Sequence, residues 1–342
     1  MSDDEYMVQR TLRHYGECSH SEIHPMSKEP GMIDNQAQLR SKVIAAPGVN
    51  YYRLRAQVIA YLFLLPALLI FALVSWYPMI LTVVNSFQQI KLVGGSTWVG
   101  FHNYVRMFHD PVFYTSWQNI VAFIFLSLVM GFMVPVALSI ILNEMRGLLP
   151  AVFRSLVYIP TLIPIAIALI VWRVIYSPEK AGILNHFLSM VGIHAQLWLQ
   201  NPVLVKPSMV VIMTWLGAGS TILIYLAALQ EIPTDIYEAA ELDGFSIWNR
   251  IWYIALPLIR SRMVVLLVLQ IIAVSQTFNE PFILTQGGPA NASMTPVLSI
   301  YRIAFQNNDF GLAAAWSVSI LAIMSIFSAL YIYLSRRRGV TS

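Results

Sequence analysis

The feature that most constrains this chain is a run of 35 residues, Ala56 to Ile90, without one charged side chain. A helix needs about 20 apolar residues to cross a bilayer core. Only helices and closed barrels satisfy their backbone polar groups in lipid. The core of this first span runs from Val58 to Trp76 and is expected to end near Pro78. Five further stretches reach span length: Thr115 to Leu142, Ser155 to Tyr176, Pro207 to Ala228, Met263 to Leu284 and Phe310 to Leu334. Pro160 and Pro164 should bend the third, because proline removes a helical donor and clashes with the preceding turn. The reading is an all-α polytopic membrane protein with six transmembrane helices. Composition agrees, with 57% hydrophobic and 11% charged residues, against about 25% charged in soluble domains.

The loops set the expected orientation. Arg53, Arg55, Arg146, Arg154, Arg250, Arg260, Arg262 and Arg336 to Arg338 fall on one side. Lys91, Arg106, Lys180, Lys206 and Arg302 fall on the other, with Arg173 near the end of span three. Basic loops stay inside, so both termini and the loop 231–260 are expected in the cytoplasm. The segment Lys91 to Pro111, with Thr97-Trp-Val-Gly-Phe-His-Asn-Tyr104, suits the membrane interface. Loops are expected at about 177–206 and at Thr285 to Asp309.

Residues 1–55 are expected to form a polar, disordered cytoplasmic tail, and 56–338 the membrane domain. The tail carries His14, Cys18, His20 and His24 at irregular spacing, which argues against a metal site. It holds no apolar run of signal-peptide length. Cys18 is the single cysteine, so neither an internal disulfide nor a cysteine metal site is expected. The net charge of +4 sits at span ends and does not suggest nucleic acid.

One polar stretch stands out against this background. Glu231, Asp235, Glu238, Glu241 and Asp243 fall within 13 residues. Asp235 can cap a helix with Glu238 three residues on, as in a capping box, and Gly244 can take the left-handed stop. Ser246 can cap a second short helix, expected to end before Pro257. Ile236, Ala239, Ala240 and Asp243 share one face by helical spacing. The paired alanines make that face thin enough to enter a groove, with Glu238 and Glu241 beside it. An ordinary capped surface loop fits the same residues.

The full spacing goes further. Glu238-Ala239-Ala240, then Gly244, Ile254 and Leu256-Pro257 resemble the EAA loop of permease subunits in bacterial ABC importers. Leu284-Thr-Gln-Gly-Gly-Pro289, Tyr301-Arg-Ile-Ala-Phe305 and Phe310-Gly-Leu-Ala-Ala-Ala315 are similar to the first permease of maltose-type and glycerol-phosphate-type importers. Gln286 stands where that family has a third glycine. The resemblance covers about residues 57–338 and implies the type I importer permease fold. It implies a coupling helix docked in a cytoplasmic ATPase, with Glu238, Ala239, Ala240, Asp243, Gly244, Ile254, Leu256 and Pro257 as the coupling residues. It also implies a second homologous permease, two ABC ATPase subunits and an extracellular or periplasmic solute-binding protein. The setting is the bacterial cytoplasmic membrane. The loop with Gly287, Gly288 and Pro289 would face the receptor; a plain turn is equally compatible.

Polar groups inside spans tend to face a cavity or another helix. Met213, Leu216, Gly217 and Ser220 line up on span four, and Gln270, Ala273, Val274 and Thr277 on span five, with Asn279 beyond. By resemblance, Leu216, Gly217, Ser220, Gln270, Val274, Thr277 and Asn279 form the substrate pathway. Gly217 would permit close approach, and Trp215 or Trp316 could stack on a sugar. Helix packing is the better reading of any single one of these residues, whereas span five as a group favours a cavity.

No lysine follows a glycine, so the P-loop signature is absent and ATP hydrolysis is expected on a separate subunit. No paired carboxylates or histidine cluster lie at span depth, so no catalytic residues, metal or cofactor are expected. The expected function is import of a carbohydrate. Glycerol-3-phosphate, or an ATPase-independent channel or carrier, is the alternative.

Overall fold

The computed structural model describes residues 47–91, 95–145, 147, 149–179 and 182–337, with side chains among these from Gln57 to Ala329 and at Tyr331. The histidines and Cys18 of the tail, Arg146, Lys180 and Arg338 lie outside the described residues. So do the side chains of Arg53, Arg55, Arg336 and Arg337. Helix α1 (Pro47–Phe71) belongs to one compact unit, ending at Leu73, and the second unit begins at Val74.

Among the described residues five helices are long and apolar enough to cross a membrane, and the count reaches six when one bent pair is taken as a single span. The first runs from Gln57 to Asn85. It does not stop near Pro78. A π-turn (Ala72–Trp76) precedes α2 (Tyr77–Asn85), and Pro78 falls in the first turn of α2, where a missing N–H costs nothing. The segment that follows is structured. It folds into a hairpin of β1 (Gln88–Lys91) and β2 (Gly95–Trp98), with Gln88 opposite Trp98, and then α3 (His102–His109). Asn103 donates to the carbonyls of Ser86 and Gln88, both at 2.9 Å, which anchors the hairpin to α3.

Asp110 accepts from the Val112 amide at 2.8 Å and starts α4 (Pro111–Ser127). A π-turn (Leu128–Phe132) joins it to α5 (Met133–Glu144), completing the second span. The third span starts at Leu149, earlier than expected, as α6 (Leu149–Tyr158). A single 3₁₀ turn (Ile159–Leu162) leads to α7 (Ile165–Ile175). Pro160 and Pro164 do bend this span, and the two halves meet at 101°.

The expected loop at 177–206 contains α8 (Ile183–Met190). Asn185, fully buried, holds it together. Its amide donates to Ser177 and Gln196 carbonyls at 3.0 Å, and its oxygen accepts from Gln196 N and Trp198 Nε1. The fourth span is α9 (Val205–Gln230), the most deeply packed helix, with Val210, Ile212 and Tyr225 fully buried. Short helices α10 (Thr234–Leu242) and α11 (Ile247–Arg250) follow. The fifth span comprises α12 (Leu256–Ser275) and α13 (Asn279–Leu284). The Gly/Pro-rich loop contains α14 (Pro296–Tyr301), capped by Thr295, whose hydroxyl also donates to Thr277 O at 2.8 Å. A π-turn (Arg302–Gln306) precedes the last span, α15 (Phe310–Arg337). Asp309 accepts from Leu312 N at 3.1 Å and pairs with Arg106 at 2.8 Å, linking the start of α15 to α3.

Candidate functional site

The acidic loop folds as two short helices around a glycine turn. Helix α10 begins after Pro233, and no side chain caps it. Asp235 therefore lies inside the first turn, and the expected capping box does not form. Its charge still suits the positive end of the helix. Gly244 takes φ +75°. The Gly244 amide donates to Glu241 O at 3.1 Å and the Phe245 amide to Ala240 O at 2.9 Å, the paired bonds of a Schellman stop. Ser246 caps α11 by accepting from Asn249 N at 3.3 Å.

The second helix does not end before Pro257. A π-turn (Ile251–Ala255) carries the chain into α12, where Pro257 occupies the first turn. The wide turn removes the need for the proline N–H. Ile254 and Leu256 are half-buried against a cluster that contains Val136, Tyr225, Leu229, Ile232, Ala255 and Ile259. They seat the loop on the helices beneath it.

The two alanines part company. Ala239 is exposed, as are Glu238, Asp243 and Ile236, whereas Ala240 is only 6% exposed. The open face is Ile236, Ala239 and Asp243, flanked by Glu238, and Ala240 packs inward. Arg250 bridges Glu144 at 3.4 Å and Glu241 at 3.8 Å, tying the loop to the end of α5. Glu231 pairs with Arg262. Burial, and then the Glu144 carboxylate, raise the Tyr237 hydroxyl above its ordinary pKa, while Arg250 pulls it down. Tyr237 stays neutral beneath the loop.

A cavity of about 530 Å³ opens between α4, α9, α12 and α13. Leu216, Gly217, Ser220, Gln270, Val274, Thr277 and Asn279 all line it, together with Met213, Ala273 and Gln276. The two stripes therefore meet in one space. Their roles differ from residue to residue. Gln270 donates to Ser127 O at 2.8 Å, next to the π-turn that disturbs the α-helical bonding of α4. Val274 and Thr277 are buried in the wall. Gly217 does not mark a close approach, since a Cβ there meets nothing within 4 Å. The close approach is at Gly219, where a Cβ would lie 2.5 Å from Val157 O. Trp316 is fully buried against Phe113, 5.1 Å between ring centroids, and cannot stack on a ligand. Trp215 packs edge-on to Trp172 and lies off the cavity wall.

A second cavity of about 690 Å³ is bounded by Arg173, Tyr176, Gln200, Leu284, Gly288 and Pro289. Gly287 is buried beneath it: φ is +80° and a Cβ would meet Met294 Cε at 2.6 Å. Its glycine serves the turn itself, and the surface belongs to Gly288 and Pro289. Among the described residues no group of three His, Cys, Asp or Glu could hold a metal ion.

Residues 134–340, more than half of the chain, match the family described as binding-protein-dependent transport system inner membrane component. The chain belongs to this family. The permease component is 32% identical over 276 residues to the arabinooligosaccharides transport system permease protein AraP of Bacillus subtilis, covering 80% of this chain and 88% of that one. It is 29% identical to the lactose transport system permease protein LacF of Rhizobium radiobacter, covering 81% and 94%. A solved bacterial ABC transporter involved in the import of the acidic polysaccharide alginate contains a chain with TM-score 0.74 and 27% identity, covering 84% of this permease and 98% of that chain. The same kind of transporter, solved with an alginate pentasaccharide-bound periplasmic protein, gives TM-score 0.76 at 25% identity, with 85% and 98% covered.

The structural roles of three residues of the permease escaped sequence reasoning. Glu280 is only 7% exposed and lines the 530 Å³ cavity; its place just past a polar stripe was the available signal. Lys206 is no loop lysine. It donates to Asn119 Oδ1 at 3.2 Å and Ala292 O at 3.0 Å, while Asn119 donates to Asn291 and Met294 carbonyls. Contacts 172 and 175 residues apart along the chain leave no local pattern. Gln286 adopts φ +53°, in the left-handed region that glycine enters without strain, and Arg302 donates to its carbonyl.

Proposed function

We propose that this chain is the membrane permease of an ATP-driven importer that moves a neutral oligosaccharide from a solute-binding protein into the cytoplasm. The observation that carries the reading is the single cavity of about 530 Å³ into which both polar stripes converge. Its wall offers hydroxyls and amides from Thr214, Ser220, Gln276 and Asn279, and its lining residues include no lysine or arginine. A phosphate would call for such a cation, so glycerol-3-phosphate fits poorly. The sugar-transport relatives support the same class.

In this reading a second permease completes the pathway, and two ATPase subunits bind from the cytoplasm, where both termini also lie. The exposed Glu238, Ala239 and Asp243 enter a groove on one ATPase. Closure of the ATPases pulls α10 and α11. Arg250 passes the displacement to Glu144, and the Ile232–Ala255–Ile259 cluster passes it to α9 and α12, which bound the cavity. The external loop at Gly288 and Pro289 meets the solute-binding protein.

The test is reconstitution of the whole transporter in liposomes with arabinotriose as the transported sugar. Wild-type protein should show uptake that requires ATP. Glu238→Lys should insert and assemble normally yet lose uptake by an order of magnitude or more. Wild-type uptake without ATP, or undiminished uptake by Glu238→Lys, would overturn the coupling assignment.

A further inference from the structure

Glu280 combines three properties that the transport reading does not use. It is 7% exposed, it lines the 530 Å³ cavity, and among the described residues its carboxylate meets its own backbone amide but no ion pair or hydrogen bond from another residue. It is also the one ionisable residue on that wall. The other polar residues of the wall, among them Thr214, Ser220, Gln270, Gln276 and Asn279, are neutral. The Thr214 hydroxyl is buried without a hydrogen-bond partner. A buried carboxylate is costly unless donors or a charge meet it. Lining a solute cavity is the arrangement in which a ligand supplies those donors.

We infer that Glu280 is a specificity residue: its carboxylate accepts hydrogen bonds from the hydroxyls of a neutral sugar and repels acidic sugars from the cavity. The proposal deepens the carbohydrate reading and rests on it. Sugar hydroxyls donate to the carboxylate, while the amides of Gln276 and Asn279 serve ring and glycosidic oxygens. A uronate in the same space would bring a second negative charge into a wall that holds no cation. Two unit charges about 8 Å apart at an effective dielectric near 20 disfavour binding by roughly 30-fold. The solved relatives import an acidic polysaccharide, so the fold itself does not forbid acidic cargo; in this chain the exclusion comes from one side chain.

The experiment measures direct binding, so the solute-binding protein cannot impose its own selection. The complete transporter, purified through a tag on this chain and placed in nanodiscs, is dialysed against radiolabelled arabinotriose or trigalacturonate. Wild type should prefer arabinotriose. Glu280→Gln should shift the ratio of the two affinities toward trigalacturonate by roughly 30-fold, and Glu280→Asp should keep the wild-type ratio. An unchanged ratio in Glu280→Gln, or wild-type preference for trigalacturonate, overturns the proposal while leaving carbohydrate transport standing. Wild-type protein that binds neither sugar overturns the carbohydrate reading and this proposal together. If Glu280→Gln fails to assemble, the neutral Glu280→Met takes its place: a shift of roughly 30-fold supports the proposal and an unchanged ratio overturns it.

Discussion

Two glycines two positions apart show how differently one residue type can act. Gly217 faces open space in the cavity, and Gly219 is pressed against the backbone of Val157 and Tyr158 in the bent third span. Alanine at Gly217 should stabilise the helix by about 1 kcal/mol, the ordinary difference in helix propensity. Alanine at Gly219 must push a carbonyl aside and should cost about 1–3 kcal/mol. Thermal unfolding in detergent should therefore move in opposite directions for the two variants. The sequence offered both glycines on one apolar helix and no means to rank them. What separates them is the partner across the interface, and that partner lies about 60 residues away along the chain. Glu280 has the same history. Its acidity was visible, but its burial and its cavity depend on the fold.

At the scale of elements, the coupling loop was the most legible part of the chain. Gly244 and Ser246 act as their chemistry requires, because each satisfies backbone groups within four residues of itself. Asp235 does not cap, because the helix starts one residue after Pro233 and Thr234 precedes it. The face shared by Ala239 and Ala240 was too coarse a reading, since α10 rests on the protein along one side and is open along another. The two alanines should respond accordingly. Ala240→Leu should lose about 1–3 kcal/mol of stability by overpacking, read as a lower melting temperature. Ala239→Leu should melt like wild type but lose ATP-driven uptake, because the added side chain fills the surface that docks. Equal melting and equal uptake for both would remove the distinction between an inner and an outer alanine. The hairpin and α8 were missed because long-range bonds made by Asn103 and Asn185 hold them, with little hydrophobic periodicity of their own.

Across the whole molecule, the number and placement of apolar spans could be read from hydropathy, and so could the break at Pro160 and Pro164. What hydropathy did not reveal is how prolines fit inside continuous spans. Pro78 and Pro257 each follow a π-turn, and two more such turns occur at Leu128–Phe132 and Arg302–Gln306. A π-turn closes its ring one residue later than an α-turn. Each of these turns is thus a helix carrying one surplus residue, with the faces before and after it kept in register. Removing one residue elsewhere in a helix would rotate everything downstream by about 100°. Removing Val129 should instead convert the Leu128–Phe132 turn to plain α-helix and leave both flanking faces where they are. A deletion at Val129 should therefore insert and assemble, whereas a deletion at Val121, inside regular helix, should not; gel filtration in detergent distinguishes the two. In evolutionary terms, the four π-turns are places where the chain can change its length by a single residue without losing its fit.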